Sequence, residues 1–476
     1  MTTARPAPPH LAEPSVPGTS MTYLGGPPFR RYLLVYILAM AGITAAYGGI
    51  GAIILPLHIQ DIEFAHWFTG PDATADLQRL TNLKARIEAG VAAATAQEQH
   101  QLGLLASYEA ARASSLSIVT AVGAIATMLV QPVAGLLSDR TRSRWGRRAP
   151  YVAGGAVLGA ALLIGVRYSA GIGLMIALWA LAQVAINLAQ GPLNTTVPDR
   201  IPENRLATVS ALSGIGTSVG ALLGSVAAGL VFGILGLDSY FPFALALAVT
   251  GLLFVLVARD RSSLALQVPE ANGAGLLKSF LVPLRSADFR WVWIASLTMA
   301  ISYAVSNAFG LYMMQSYIQP ALSAAEATRI VPVLSIVTLP GMLVSMLVTG
   351  RWSDRAGRRK PFVIGASILF AASMLVPLLW PALPALFVQA VAGGVAIGCY
   401  LAVDRALLID VLPDRTGAAG RDLGLGGMGF SLGGAIGPVL AGQVVGLTGG
   451  YRMVWVMAIL VALVATVAIV PVKKVA

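Results

Sequence analysis

The chain has 476 residues, of which 57% are hydrophobic and only 11% are charged, and its formal net charge is +11. Soluble domains carry about 25% charged residues, so this composition excludes a soluble enzyme, a nucleic-acid-binding module and a disordered chain. A single cysteine, Cys399, excludes a disulfide scaffold and a cysteine-based metal site. The composition therefore predicts an all-α integral membrane protein.

The chain begins with a polar segment and continues as a series of apolar stretches. Residues 1–31 are rich in proline and are predicted to form a disordered cytoplasmic tail. Twelve later stretches are long enough to cross a hydrocarbon layer of about 30 Å as helices. The predicted spans are 32–56, 114–137, 149–167, 172–197, 207–234, 240–258, 291–317, 330–350, 361–381, 384–410, 423–447 and 452–471.

Residues 61–112 form a polar insert between the first two spans, with seven acidic and four basic residues. Apolar residues recur in it at spacings of three and four, which is typical of an amphipathic helix. These residues are Leu77, Leu80, Leu83, Ile87 and Val91. Gly90 is predicted to separate this helix from a second one that runs through about residue 111. We expect a helical external insert; a floppy loop is the alternative.

A second polar segment, residues 259–290, separates the sixth and seventh spans. We interpret it as a cytoplasmic linker between an N-terminal six-helix half, 32–258, and a C-terminal half, 291–476. If the predicted spans cross the membrane one after another, most Lys and Arg residues fall in the connecting segments on one side of it. Loops rich in Lys and Arg are retained in the cytoplasm, so this side is predicted to be the cytoplasmic one. Both termini are therefore predicted to be cytoplasmic in a multi-pass protein of the plasma membrane.

The two halves repeat each other at an offset of 215 residues. GLLSDRTRSRWGRRAP begins at Gly135, and GRWSDRAGRRKP begins at Gly350. The sequences VPDR at 197–200 and LPDR at 412–415 match at the same offset. Two matches at one offset indicate two structurally equivalent halves, a common design in transporters with a central site.

The G-x-x-x-D-R-x-x-x-x-x-G-R-R sequence at 135–148 resembles the loop signature of the major facilitator superfamily. Its shorter copy begins at Gly350. The string SDRTRSRWGRRAPY is similar to the version in glycoside–pentoside–hexuronide cation symporters and sucrose-type carriers. PLRSADFRWVW and YLAVDRALLIDVLPD are also similar to bacterial members near that group. The resemblance implies a major facilitator fold of twelve helices in two pseudo-symmetric halves.

The resemblance also implies that both motifs latch the cytoplasmic side of the carrier. An aspartate at the end of a helix can cap a neighbouring helix and pair with arginine. Pairs that break in only one conformer bias a two-state equilibrium. The predicted latch residues are Gly135, Asp139, Arg140, Arg147, Arg148, Gly350, Asp354, Arg355, Arg358 and Arg359. Alternatively, the arginines act only as determinants of topology.

Polar residues within spans one, four, seven and ten are candidates for solute binding, because these spans line the central cavity in the family. In span four they recur at steps of four, three and four, on one helical face. Amides and aromatic rings suit a neutral polyol or a polar–apolar solute. The candidates are Tyr47, Gln183, Asn187, Gln190, Asn194, Tyr303, Asn307, Tyr312, Gln389 and Tyr400. Hydrogen bonding between helices is the alternative role.

Charged residues in span ten are candidates for coupling or gating. They are Asp404, Arg405 and Asp410, and charges within spans are functional suspects. Asp404 lies about 9 Å along the helix from Asp410, toward the predicted cytoplasmic end. Spans two and four lack the acidic residues that form the cation site of melibiose-type symporters. The sequence therefore gives no support for that sodium site.

The predicted function is secondary transport of a small solute, with a sugar or glycoside and proton symport as the finer expectations. Proton-driven export of amphipathic compounds is one alternative. The span-five sequence departs from the antiporter signature of drug exporters, and this departure weakens the export alternative. A second alternative is a receptor or assembly protein on a carrier scaffold, which only the insert favours. We predict no enzymatic activity, cofactor, metal site or nucleic-acid partner. The predicted form is a monomer in the lipid bilayer.

Overall fold

The computed structural model describes residues 11–12, 20, 22–266, 282–411 and 419–472. Most of the predicted tail and residues 267–281 of the predicted linker lie outside the described residues. Two short strands, Leu11–Ala12 (β1) and Thr22–Tyr23 (β2), pair antiparallel. The remaining regular structure of the described residues is helical. The first long helix begins at Gly26, inside the segment predicted to be a tail.

The helices of the first part of the chain follow the predicted spans closely. They are Gly26–Ala46 (α1), the π-helix Tyr47–Ile54, Leu55–Trp67 (α2), the 3-10 turn Gly70–Asp72, Leu77–Glu88 (α3), Ala96–Arg140 (α4), Ala149–Arg167 (α5), Ile172–Arg200 (α6), Glu203–Leu235 (α7), the 3-10 turn Gly236–Ser239 and Tyr240–Val257 (α8).

The second part of the chain repeats this pattern. Its helices are the 3-10 turn Val282–Arg285, Ala287–Asn307 (α9), Gly310–Ser316 (α10), Ala324–Ala356 (α11), Lys360–Leu379 (α12), Leu383–Asp410 (α13), Ala419–Thr448 (α14) and Arg452–Ile469 (α15). The predicted seventh span is broken, because α9 and α10 meet at a bend of 45°.

Within the described residues, 10 helical stretches are long and apolar enough to cross a membrane, or 11 if the bent pair is one span. One of these stretches, Leu212–Val257, contains parts of both α7 and α8. The multi-pass helical architecture is therefore confirmed. The count of twelve stays a prediction.

The insert is helical in both places where the sequence predicts a helix. Its first helix, α3, ends at Glu88, and Gly90 adopts a φ of +73°, so the predicted break is present. Val91 lies beyond the helix and is exposed, contrary to the predicted periodicity. The second helix has no break before span two, because α4 runs without interruption from Ala96 to Arg140. The insert thus consists of extensions of the helices on either side of it, with α3 as a separate helix between them.

The chain forms two compact units, Met1–Leu55 with Ile125–Ala271 and Pro56–Ala124 with Asn272–Ala476. In the first unit, α1 packs against α7 and α8, and α5 packs against α6 and α8. In the second unit the equivalent helices make the same pairs: α9 with α14 and α15, and α12 with α13 and α15. The internal repeat of the sequence is thus also a repeat of helix packing.

Glycine makes the close approach possible at equivalent places in the two units. A Cβ atom at Gly220 or Gly224 of α7 would overlap atoms of α1. A Cβ atom at Gly433 or Gly437 of α14 would overlap α9 in the same way. Glycines four residues apart let membrane helices approach until their backbones touch, where dispersion contacts stabilise the pair.

Candidate functional site

Asn187 lies at the centre of a polar cluster within the first unit. Its side-chain nitrogen is 3.0 Å from the hydroxyl of Tyr47, 2.9 Å from that of Thr127 and 2.8 Å from the carbonyl oxygen of Gln183. Its side-chain oxygen accepts a bond of 3.2 Å from Gln131. Asn187 itself is 1% exposed. We name Tyr47, Thr127, Gln131, Gln183 and Asn187 the Asn187 cluster.

Two local features of the backbone position this cluster. Tyr47 is the first residue of the π-helix Tyr47–Ile54, and the wider turn of such a segment redirects side chains, frequently at functional sites. Gln183 and Asn187 are four residues apart on α6, so they share one face. The predicted partners Tyr47, Gln183 and Asn187 are therefore brought together.

Thr127 and Gln131 of α4 belong to the cluster and are absent from the sequence-based candidates. Gln131 is an amide within an apolar span, so the rule applied to spans four and seven could have found it. Thr127 carries no comparable signal, because threonine often bonds to its own helix backbone. Only the packing of α4 near α6 identifies it.

The polar candidates that follow Asn187 on α6 have different surroundings from Gln183 and Asn187. Gln190 is partly buried and is not part of the cluster. Asn194 is exposed, and its side-chain oxygen accepts a bond of 3.3 Å from Tyr36, which is also 2.9 Å from Ser213. The row therefore divides into a buried group at Asn187 and an exposed end at Asn194.

The candidates from spans seven and ten are more dispersed. The ring of Tyr303 lies 6.2 Å from that of Phe370. Asn307 is exposed and donates to the carbonyl oxygen of Tyr303 in its own helix at 2.8 Å. Gln389 is partly buried, and its side-chain nitrogen lies 3.8 Å from the sulfur of Met374. No hydrogen bond joins the side chains of these three candidates to one another among the described residues.

Tyr312 lies in a different cluster, around Arg112 of the insert. The guanidinium of Arg112 is 4.5 Å from the ring centre of Tyr312 and 5.0 Å from that of Tyr108. The same group donates to Tyr451 and to Gln315, both at 3.3 Å. The hydroxyl of Tyr312 donates to the carbonyl oxygen of Pro56 at 2.7 Å, so its polar atom is already engaged.

Asp404 and Arg405 of α13 have different surroundings. One carboxylate oxygen of Asp404 accepts a hydrogen bond of 2.5 Å from Ser296 of α9. Arg405 is exposed and makes no ion pair among the described residues. Tyr400 is fully buried one turn before Asp404 on the same helix. The two adjacent charges of span ten are therefore not a pair, and Asp404 is held by a neutral hydroxyl.

Arg148 is the centre of the first arginine motif. It lies 2.6 Å from Asp139 and 3.1 Å from Asp199, and it donates to Ser138 at 2.5 Å. Arg147 lies 2.7 Å from the other oxygen of Asp199. The predicted pairing of Asp139 with arginine is thus present, while Arg148, the N-cap residue of α5, has no side-chain cap. Asp199 joins the network only because α6 ends beside this loop.

Arg359 is the centre of the second motif. It lies 2.6 Å from Asp410 and 3.7 Å from Asp354. Arg359 precedes α12 as Arg148 precedes α5, so the two arginines occupy equivalent positions. Asp410, a candidate for coupling, is therefore part of the latch network. Asp414 and Arg415 lie outside the described residues.

The other predicted latch residues are on the surface of their units. Arg140, Arg355 and Arg358 are exposed. Gly135 and Gly350 have room for a Cβ atom, so close approach within the described structure does not explain them. Hence only Asp139, Arg147, Arg148, Asp354 and Arg359 of this set make described ion pairs.

Comparison with known proteins gives local matches among curated sequences. The chain is 51% identical over 51 residues to sucrose transport protein SUT1 of Oryza sativa, a segment that covers 11% of this chain and 10% of that protein. It is 54% identical over 39 residues to an uncharacterized symporter of Synechocystis sp., which covers 8% and 7%. The chain thus matches only about a tenth of the length of these curated relatives.

Solved structures match over nearly the whole chain at low identity, which shows the fold alone. A mutant of the nucleoside transporter NupG has a TM-score of 0.65 at 14% identity, over 92% of this chain and 98% of that one. A bacterial homolog of the human lysosomal transporter Spinster has a TM-score of 0.61 at 13% identity, over 94% and 97%.

The sequence profile described as Major Facilitator Superfamily matches residues 33–345 and 304–475, nearly the whole chain. The family and the structural neighbours are transporters and not enzymes. The arginine motifs, the repeated helix packing and this match agree. The chain belongs to the major facilitator superfamily of membrane transporters.

Proposed function

We propose that the protein is a secondary active transporter that moves a small neutral polar solute, of the sugar or glycoside class, across the plasma membrane. The observation that carries the proposal is the Asn187 cluster, an uncharged set of hydrogen-bonding groups from three helical stretches that are each long and apolar enough to span a membrane. Placing a polar side chain in contact with lipid raises the free energy of a membrane protein, so such side chains usually face other protein groups or a water-filled cavity. A transporter needs such groups where its solute binds.

The chemistry of the cluster favours a solute that carries hydroxyl groups. An amide both donates and accepts hydrogen bonds, and the phenol and the threonine hydroxyl do the same. The side-chain oxygen of Gln183 is buried and has no hydrogen-bond partner among the described residues. No charged residue belongs to the cluster, so an ionic solute would lack a countercharge there. The local match to a sucrose transport protein supports the same class.

Asp404 is the proposed proton carrier. Its carboxylate is held by the Ser296 hydroxyl, which can donate to a charged carboxylate or accept from a neutral one. Arg405 is exposed and does not pair with it among the described residues, so the carboxylate can exchange a proton without breaking an ion pair. Protonation would then bias the equilibrium between two conformers of the carrier.

Uptake into proteoliposomes tests the solute class. We would measure uptake of radiolabelled sucrose, maltose and glucose with an inward proton gradient, and of amphipathic dyes in the opposite direction. Asn187→Leu removes the central amide and keeps the side-chain size, so sugar uptake should fall about tenfold or more. Gln99→Leu, an exposed amide in the insert, should leave uptake unchanged. Gradient-driven dye export without sugar uptake would contradict the proposal.

Asp404→Asn tests the coupling. It should abolish accumulation driven by the proton gradient but retain exchange of labelled for unlabelled sugar, because exchange needs no net proton movement. Asp238→Asn is the control, because Asp238 is an exposed aspartate that pairs with Arg167 and belongs to neither the Asn187 cluster nor the arginine motifs. An Asp404→Asn protein that still accumulates sugar against its gradient would show that this carboxylate is not the proton carrier.

A further inference from the structure

Residues 56–124, which contain the insert, belong by contact to the second unit, although the sequence places them in the N-terminal half. We name this segment the insert arm. It contains α3, most of α2 and the first part of α4. The chain passes from one unit to the other at both ends of the arm, after Leu55 and after Ala124. Covalent connections thus join the arm to the first unit, while side-chain contacts build it into the second.

Two side chains of α3 hold one peptide of the C-terminal half. Gln78 donates to the carbonyl oxygen of Ala321 at 2.8 Å, and the side-chain oxygen of Asn82 accepts from the backbone N–H of the same residue at 3.0 Å. The two amides are four residues apart, so they share one face of α3. Ala321 connects α10 to α11 and is 1% exposed. Both backbone polar atoms of this connecting residue are thus bonded to the arm.

Arg112 of α4 makes the central contacts of the arm. It is 1% exposed, and its guanidinium donates to Gln315 and to Tyr451, both at 3.3 Å, and also to Ser316. The same guanidinium lies 4.5 Å from the ring centre of Tyr312, where a cation–π contact is favourable. These partners all come from the C-terminal half, and all of them are neutral.

The charges that compensate Arg112 lie on the arm itself. Glu109, one turn earlier on α4, is 3.9 Å from its guanidinium, and Lys84 of α3 is 3.6 Å from Glu109. Separating the arm from the C-terminal half would therefore break hydrogen bonds and cation–π contacts but neither of these ion pairs. Loss of one partner from a buried ion pair is strongly unfavourable, whereas water can replace a hydrogen bond that becomes exposed. The contacts of the arm are thus of the kind that can be released and remade.

The continuity of α4 gives this release a role. The helix runs unbroken from Ala96 to Arg140, with Arg112 in the second unit and Thr127 and Gln131 of the Asn187 cluster in the first. A carrier that moves its two units against each other must therefore bend α4 sharply or release Arg112. A sharp bend would break backbone hydrogen bonds within a predicted span, where lipid offers no replacement. Release breaks no ion pair and is the less costly change.

We propose that the insert arm is a reversible clasp on the predicted external side of the carrier. It closes against α10, Ala321 and Tyr451 and releases each time the carrier opens to that side. The inference rests on the proposed function, since it requires a carrier that alternates between two conformers. Arg112 is the central attachment of the clasp, and the pair of amides on α3 is the second. Contacts made in only one conformer bias the equilibrium toward it, so weakening the clasp should favour the open conformer.

The reactivity of a thiol beneath the clasp tests the proposal without any solute. Ala321→Cys in a Cys399→Ser background places a single thiol at a position that the closed arm covers. We would measure its labelling rate with a hydrophilic maleimide in the purified full-length protein. Arg112→Met should raise this rate about tenfold or more, because it removes hydrogen bonds from a charged donor. Arg86→Met, an exposed arginine of the same arm, should leave it unchanged. Equal rates in the two variants would overturn the proposal.

A removable covalent bridge tests the clasp in the opposite direction and guards against a misfolded Arg112→Met protein. Asn82→Cys and Ala321→Cys would be joined by a short bis-methanethiosulfonate crosslinker, which a reductant removes. The bridge should lower sugar uptake about tenfold or more by trapping one conformer, and the reductant should restore it. Asp72→Cys with Gln101→Cys is the matched control, because these side chains bond at 2.8 Å within the arm and their bridge should not impair uptake.

Two outcomes separate the clasp from the proposed function. Full uptake by the bridged Asn82→Cys and Ala321→Cys protein would overturn the clasp, because the arm would then stay attached throughout the transport cycle. A wild-type protein that takes up no sugar would contradict the proposed solute class alone, since the labelling comparison between Arg112→Met and Arg86→Met still decides whether Arg112 holds the arm closed.

Discussion

The two arginine motifs are built on one sequence pattern, yet they differ in burial. In the first, the Arg148 side chain is 4% exposed and touches two carboxylates at 2.6 and 3.1 Å. In the second, the Arg359 side chain is 22% exposed and has one close carboxylate, Asp410, while Asp354 is 72% exposed and 3.7 Å away. The shared motif thus determines which arginine precedes the helix. The chain segments packed around it determine how far solvent reaches the ion pairs of that arginine.

The first motif is covered by the chain segment that follows α8. Ser263, beyond α8, bonds to the backbone of Thr141 and of Ser143 in that loop. Asp260 lies against Gly146 and pairs with buried Arg200 at 3.1 Å. The region at the matching end of the second half, residues 473–476, lies outside the described residues. A buried ion pair and an exposed one contribute very differently when one partner is removed.

The largest expected effect comes from Arg148→Met, which leaves Asp139 without its closest partner and Asp199 with Arg147 alone. Breaking a buried ion pair costs about 3–5 kcal/mol, and the partial exposure of Asp139 places the expected loss at the lower end, about 3 kcal/mol. The free energy of unfolding is measured in detergent by denaturant titration with tryptophan fluorescence. Arg144→Met, an exposed arginine of the same loop, is the control. A loss under about 1 kcal/mol would contradict the buried network.

An intermediate effect is expected from the glycines that precede the arginine pairs. Gly146 and Gly357 have φ angles of +87° and +61°, where an alanine costs about 1–2 kcal/mol. A Cβ atom at Gly146 would lie 2.6 Å from the Cβ atom of Asp260, and this overlap adds to the cost, whereas Gly357 has open space. Gly146→Ala should therefore destabilise more than Gly357→Ala in the same titration. Equal losses would show that Asp260 moves aside freely.

The smallest effect is expected from Arg359→Met. Partly exposed ion pairs contribute about 0–1 kcal/mol, so the unfolding free energy should fall by about 1 kcal/mol or less. Solvent-exposed pairs are also screened by salt, so the difference from wild type should shrink as the salt concentration rises to about 1 M. Arg148→Met should keep most of its effect at the same salt. A larger and salt-insensitive loss at Arg359 would mean that the second motif is as buried as the first.

The sequence alone was sufficient for the family, the repeat and much of the helix pattern, because long apolar stretches and arginine motifs are local features. Gly90 marks the break in the insert, since only glycine adopts its φ easily. The sequence also identifies Tyr47, Gln183 and Asn187 as candidates, and in the structure Asn187 donates hydrogen bonds to the hydroxyl of Tyr47 and to the carbonyl oxygen of Gln183. It misses Thr127 and Asp199, because their roles depend on which helices pack beside them. The solute, the coupling ion and the membrane sidedness stay predictions.

What the sequence determined by itself was the membrane environment and the internal symmetry, because apolar length and repeated motifs can be read along one chain. Only the tertiary structure divided the α6 row into the Asn187 cluster and an exposed end, and placed Tyr312 beside Arg112. It alone separated Asp404, held by Ser296, from Asp410, held by Arg359. Hydrogen bonds and ion pairs act over a few ångströms, so they depend on the packing of helices that are distant in sequence.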